Sequence, residues 1–475
     1  MTTERLTTRS TSHQFPTPFL GTVVVLALCG FAPTLLMAAT PTPVFEAWPL
    51  ALISTLIAGG RFAWTISGSS RRLYEMTTWL FVYLFLGLAP LVQLRQGLDP
   101  STTPNIFHQY DVAALSIVIA FELALIIGSH FHRRHDIRAG TTPETLTRPV
   151  HKARLRLTTA VLLGLSLYYI IRVGPESIWA SRVDRGTAAA QGIGDDVVNT
   201  ILTALVTLGL LVAVVALVQD RRERRTQSDA GGTLLIVLSG AVLLFLVNPI
   251  GSPRFVLATV YLGLLAALGV FRQVRSFRWI SIGAIAAMFL VFPILDTFRF
   301  STTNTAQLAD PITSLGRGDY DSYAQIVNTA WYVDLGGVTW GNQLLGVLLF
   351  WVPRGLWPAK PADTGIFLAE QREYLFGNLS APLPAELFIN FGWIGVAVGG
   401  VLLGMLIRRL DASSENHLRA VGTPTILGSI VPFYLILLLR GSLLQAAANL
   451  AVMLFVWWFV TSRKPSVCSS PQMSK

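Results

Sequence analysis

The chain has 475 residues, of which 52% are hydrophobic and only 13% charged, with a mean hydropathy of +0.56. A water-soluble protein of this length needs more charge to cover its surface, so a soluble globular class is excluded. The net charge of +10 suggests a nucleic-acid partner, but the basic residues fall in short connections between apolar blocks. That placement is the signal of membrane orientation, and no nucleic-acid partner is expected.

The apolar residues are grouped in blocks of roughly 17–25, the length a helix needs to cross a hydrocarbon core of ~30 Å. In chain order the blocks lie near 18–39, 46–67, 76–94, 111–131, 156–172, 197–219, 233–248, 255–271, 279–296, 386–407, 425–440 and 442–460. Alternating strand patterns are absent, which excludes an outer-membrane barrel. The expected fold is all-α, a polytopic bundle of about twelve spans. Its parts are helices 1–9 over 1–296, a long connection over 297–385, helices 10–12 over 386–460 and a tail over 461–475. Cys29 sits in the first block and Cys468 in the tail, so no disulfide is expected. The apolar run continues past Cys29, so the first block reads as a retained helix rather than a signal peptide.

With the N-terminus placed in the cytoplasm, 24 of the 36 basic residues fall in the inward connections and 11 in the outward ones. Every short inward connection is basic, which predicts both termini inside and a bacterial inner-membrane location. The 297–385 segment then falls on the outer face. Residues 320–334 read as a helix there, and 341–352 as an apolar segment too short to cross, re-entrant or interfacial. Residues 365–376 read as a further helix. A long ordered connection on a helical scaffold is a usual place for activity.

The outward arginines are Arg172, Arg182, Arg185, Arg254, Arg299, Arg317, Arg354, Arg372 and Arg440. Arginine suits phosphate because its planar fork makes paired hydrogen bonds and keeps its proton; the bland alternative for each is a headgroup contact or a salt bridge. Nine carboxylates run from Asp296 to Glu386, and Glu386 stands out because it opens the helix after the long connection, where a carboxylate also suits a helix N-terminus. Asp195 and Asp196 precede an apolar block and read as helix capping. Aromatic residues including Tyr320 and Trp357 suit either sugar stacking or an interface belt. His108 is the one histidine placed outside, and no metal-ligand spacing appears. No phosphate-binding glycine loop appears either. Arg61 is the one clear charge inside a predicted span.

Two stretches carry a family resemblance: VPRGLWPAKPADTG from Val352 to Gly365, and PLPAELFINFGWIGVAVGGVLLG from Pro382 to Gly404. The first resembles the loop element of the O-antigen polymerase (Wzy-type) family, with an arginine before a Trp-Pro-x-Lys-Pro run and an arginine-x10-glycine spacing at Arg354 and Gly365. The second resembles that family's carboxylate-bearing helix start before a glycine-rich span. The resemblance implies a metal-independent, cofactor-free, inverting glycosyltransferase. Such an enzyme joins undecaprenyl-pyrophosphate-linked oligosaccharide units into a surface polysaccharide, alongside a chain-length regulator and a flippase. It implies substrate contacts at Arg254, Arg299, Arg354, Lys360, Trp357 and Tyr320, and a proton acceptor at Glu386 or Asp321. Two alternatives stand beside it: an O-antigen ligase or other lipid-linked glycosyltransferase, and a polysaccharide flippase or transporter.

Overall fold

A computed structural model describes residues 17–40, 42–139, 148–223, 229–297, 311–316 and 318–462. Every regular element among them is helical, apart from an isolated bridge between Val150 and Thr461. Among the described residues nine helices are long and apolar enough to cross a membrane: α1 (Phe19–Ala39), α2 (Trp48–Ser67), α3 (Leu73–Gln96), α4 (His108–Phe131), α5 (Lys152–Val173), α6 (Val197–Arg222), α9 (Val274–Phe292), α10 (Leu383–Val421) and α12 (Leu443–Val460). Three apolar helices are shorter: α7 (Ala230–Leu246), α8 (Arg254–Ala267) and α11 (Ile426–Arg440). Each predicted apolar block therefore contains a helix, and the chain is a multi-pass membrane protein by the length and composition of nine of them.

The helices are not uniform cylinders. Pro33 in α1 and Pro90 in α3 each follow a π-helical stretch, Leu26–Phe31 and Val82–Leu88. Proline lacks a backbone donor and clashes with the preceding turn, and the wider π turn takes up that mismatch. The α10 helix extends well beyond its predicted block and is broken at Gly392, whose φ of 59° and ψ of −146° no ordinary side chain tolerates. Glu386 therefore stands on a short segment ahead of the break, not on the straight part of the span.

The centre of the bundle is α3, whose residues from Leu73 to Leu94 are all buried. The α4–α10 seam closes on small residues: a Cβ at Gly128 would meet the Val401 carbonyl oxygen at 2.1 Å, and one at Gly404 would meet that of Leu125 at 2.3 Å. Two backbones this close gain van der Waals contact that lipid cannot replace.

At one end of the bundle the 298–382 connection folds into the helices Ser322–Gly336, Asn342–Leu348 and Thr364–Gln371. We refer to this as the loop end. Ser322–Gly336 is buried along its first nine residues. Asn342–Leu348 spans only ~10 Å at 1.5 Å per residue, and it leaves Trp340, Leu348, Trp351 and Leu356 outward, with Trp340 83% exposed. The helix expected over 365–376 stops at Gln371, because Glu373 turns to a positive φ of 54°.

The opposite end is fastened by ions. Arg71 donates to both oxygens of Glu415, and Asp411 accepts the backbone N–H groups of Tyr74 and Glu75 at 2.9 Å each, capping α3 from another helix. Arg61 is paired: it binds Glu75 at 2.7 Å and lies 4.4 Å from the Trp64 ring. The expectation of a single charge inside the spans needs correcting, because Glu122 lies midway along α4, fully buried. A lone carboxyl in a long apolar block leaves the hydropathy of the block high and is easily read over.

Candidate functional site at the loop end

Two of the short helices bring arginines together. Arg254 is the first residue of α8 and Arg440 the last of α11, and these two helices pack against one another. At 1.5 Å per residue they reach only about 21–22 Å, against a hydrocarbon core of ~30 Å. Arg254 and Arg440 stand at the loop-end termini of these short helices.

Both guanidinium groups converge on the stretch Asp319–Asp321. Arg254 forms an ion pair with Asp319 and donates to the Phe292 carbonyl at 2.9 Å. Arg440 donates to the Asp319 carbonyl at 2.9 Å and to the Asp321 carboxylate at 3.0 Å. Asp321 does not cap its own helix. Its second oxygen accepts the Ser380 N–H at 3.2 Å. Aromatic faces line the cluster: Phe255 lies 5.3 Å from the Arg440 guanidinium and Phe292 5.2 Å from that of Arg254, and Tyr320 stacks on Phe85 at 4.9 Å. Gln93 near the end of α3 holds the Tyr320 carbonyl at 2.9 Å. Burial pushes the Tyr320 hydroxyl up to about 12, so it stays protonated at neutral pH.

The cluster continues through Ser442, two residues after Arg440. Glu386, 2% exposed, accepts from Ser442 Oγ at 3.3 Å, from the Leu443 N–H at 3.0 Å and from Thr364 Oγ1 at 2.8 Å. It thereby caps the start of α12 rather than its own helix. The neighbouring Asp363 caps Thr364–Gln371 with Oδ1, bonding the Gly365 N–H at 2.9 Å. Its other oxygen, Oδ2, is buried with no hydrogen-bond partner, as are Ser322 Oγ, Ser380 Oγ and Gln93 Oε1. Burial raises the Asp363 carboxyl above the usual range for aspartate. Buried polar atoms without partners are uncommon, and four of them lie on residues in or next to this cluster.

Of the residues singled out from sequence, Arg254, Tyr320 and Asp321 belong to the arginine cluster, and Glu386 is held at Ser442, two residues along the chain from Arg440. Arg354, Lys360 and Trp357 form a separate turn. Arg354 donates to the Lys360 carbonyl at 2.7 Å, and Lys360 Nζ donates to the carbonyls of Phe350 and Val352 at 2.6 and 2.9 Å. The Trp357 carbonyl accepts the Lys360 N–H at 3.0 Å. The charges of that turn are spent on its own backbone, although it leads directly into Asp363. Arg299 lies outside the described residues, as does Arg317.

Sequence reasoning did not rank Arg440 or Asp363 among the site residues. Arg440 carries a usable signal, a lone arginine wedged between two apolar blocks; Asp363 reads as an ordinary helix cap. His108 is held at both ring nitrogens, by Asp99 at 3.2 Å and Asp111 at 3.0 Å. Asp195 accepts the Val198 N–H at 2.8 Å, the cap expected of it. Cys29 is a free thiol, and Cys468 lies outside the described residues. Among the described residues no group of three His, Cys, Asp or Glu side chains is arranged to hold a metal ion. No known protein family, curated protein or solved structure matches the chain.

Proposed function

We propose that the protein is a twelve-span inner-membrane glycosyltransferase with both termini in the cytoplasm. In this reading the loop end faces outward, and the enzyme polymerises undecaprenyl-pyrophosphate-linked oligosaccharide units into a surface polysaccharide. The observation that carries the reading is the convergence of Arg254 and Arg440, from the ends of two short helices, on one acidic stretch beside buried, unpartnered polar atoms. A polyprenyl pyrophosphate presents its charge close to the hydrocarbon boundary, the depth at which short helices leave their ends.

The pyrophosphate takes the place of Asp319 and Asp321 as the partner of the two arginines. The acceptor sugar's hydroxyl oxygen attacks the donor's anomeric carbon as the bond to pyrophosphate breaks. Arg254 and Arg440 stabilise the charge developing on the leaving group, a form of stabilisation worth several kcal/mol. Asp363 Oδ2 takes the hydroxyl proton, being buried and open to a new hydrogen bond. Glu386, engaged by three donors, holds Thr364 and the start of α12 in register. Tyr320 and the rings around it provide apolar walls. Interfacial residues of the 340–357 segment rest at the lipid boundary.

A lipid-linked sugar transporter is the second reading. Two observations favour it: the buried Glu122 within α4, and the helix break of α10 at Gly392. Deleting the gene and examining the surface glycan separates the two. A polymerase leaves single capped units and removes long chains; a transporter loss removes the capped units as well. Within the polymerase reading, Arg440→Ala expressed at wild-type level gives the deletion pattern. Normal chain lengths from that variant would refute the arginine site.

A further inference from the structure

The mechanism above does not use Glu122. It lies within α4 and is fully buried. Its Oε1 is 2.6 Å from Ser54 Oγ of α2. The same hydroxyl is 3.1 Å from the carbonyl oxygen of Leu86, in the π-helical stretch of α3. The other carboxyl oxygen, Oε2, is buried with no partner.

A serine hydroxyl carries one proton and can donate one hydrogen bond. If Glu122 were ionised, both neighbours of Ser54 Oγ would be acceptors, and only one could be served. The charged Oε2 would also stand bare in an apolar interior, an arrangement several kcal/mol unfavourable by general transfer energies. If Glu122 holds a proton, the accounting closes. Glu122 donates to Ser54 Oγ, Ser54 donates to the Leu86 carbonyl, and the bare oxygen is a neutral carbonyl, which costs far less to leave unbonded.

Ionisable groups on the packed elements are engaged elsewhere. Arg61 on α2 binds Glu75 of α3, Arg95 at the end of α3 binds Thr40, and Tyr323 of the helix Ser322–Gly336 donates to Asp111. On α10, Glu386 is held by Thr364 and Ser442, and Glu415 by Arg71. Burial and the Ser54 hydroxyl are what act on the Glu122 carboxyl.

We propose that Glu122, Ser54 and the Leu86 carbonyl form a proton-binding site inside the membrane-embedded bundle, occupied at neutral pH. The bound proton links α2, α3 and α4 through one donor chain, and the wider turn at Val82–Leu88 presents the terminal acceptor.

The test is infrared difference spectroscopy at pH 7 on the full-length protein in lipid, wild type minus Glu122→Gln. An unperturbed glutamate, with a pKa of ~4.3, is ionised at that pH. The site predicts loss of one carboxylic-acid C=O band and no loss of carboxylate stretches. Loss of carboxylate intensity instead would overturn it. Gln keeps the size and donor capacity of the acid, so the variant is expected to fold, and retained thermal stability serves as the control. Ser54→Ala supplies an independent readout. It should shift the acid band upward, because the donated hydrogen bond is gone. An unmoved band would refute the donor chain to Ser54.

Discussion

The two ends of the bundle both concentrate charge, and they use it differently. At the end opposite the long connection the acids are the centres. Glu75, Asp411 and Glu415 each have both oxygens engaged, several by backbone N–H groups at the start of a neighbouring helix. They fasten span to span. At the loop end the arginines are the centres, and they tie spans to a short connecting stretch, Asp319–Asp321. Polar atoms beside them are left without partners. Ion pairs thus rivet span to span at one end and tie span to connection at the other; under the proposed function the second kind is exchanged for substrate.

The largest effect should come from breaking a rivet. Glu415→Ala leaves Arg71 buried without its carboxylate, and removing one partner of such a pair costs about 3–5 kcal/mol. Thermal unfolding of the purified protein should show a marked loss of stability. A melting point equal to wild type would erase the contrast between the ends. Next comes Arg440→Ala at the exchangeable end. It leaves the buried Asp321 without its guanidinium, so stability falls here too, and polymer formation from lipid-linked units, measured per folded protein, falls by about 10²–10³-fold, the usual loss for one donor to developing charge.

Asp363→Asn should lower the rate by about 10²-fold, the lower range for a lost proton acceptor, with melting behaviour close to wild type because Oδ1 still caps its helix. Its pH profile sharpens the assignment. Asp363 must be ionised to accept a proton, and burial raises its carboxyl. The wild-type rate should therefore fall as pH drops through a value above the ~3.9 of an ordinary aspartate, and that limb should vanish in Asp363→Asn. The smallest effect is expected from Arg354→Ala, within about threefold in rate, or ~0.65 kcal/mol in the barrier, since this arginine serves its own turn. A loss as deep as that of Arg440→Ala would move the site toward the 354–360 turn.

Much of the architecture is written in the order of residues. A span in lipid must satisfy its backbone within itself, so each apolar block maps onto a helix, although α10 runs far past its block. Arg254, Tyr320, Asp321 and Glu386 were legible because charge or aromatic character beside a block is unusual enough to notice. Arg354 and Lys360 were equally visible, yet their partners are backbone carbonyls a few residues away, and no spacing rule reports that. Arg440 meets Asp321 across more than a hundred residues of chain. Asp363 differs from an ordinary helix cap in having its second oxygen buried without a hydrogen-bond partner. Such properties belong to packing, and composition does not encode them.

The short α7 helix has a consequence for the surrounding lipid. Its 17 residues give a length of ~25 Å, and Leu234, Val237 and Leu238 are exposed along it. Were α7 to cross the membrane, acyl chains beside that flank would compress to match it, since a hydrophobic mismatch of this sign is relieved by thinning the bilayer. Thin bilayers would then suit that flank, and thick sterol-like bilayers would strain it.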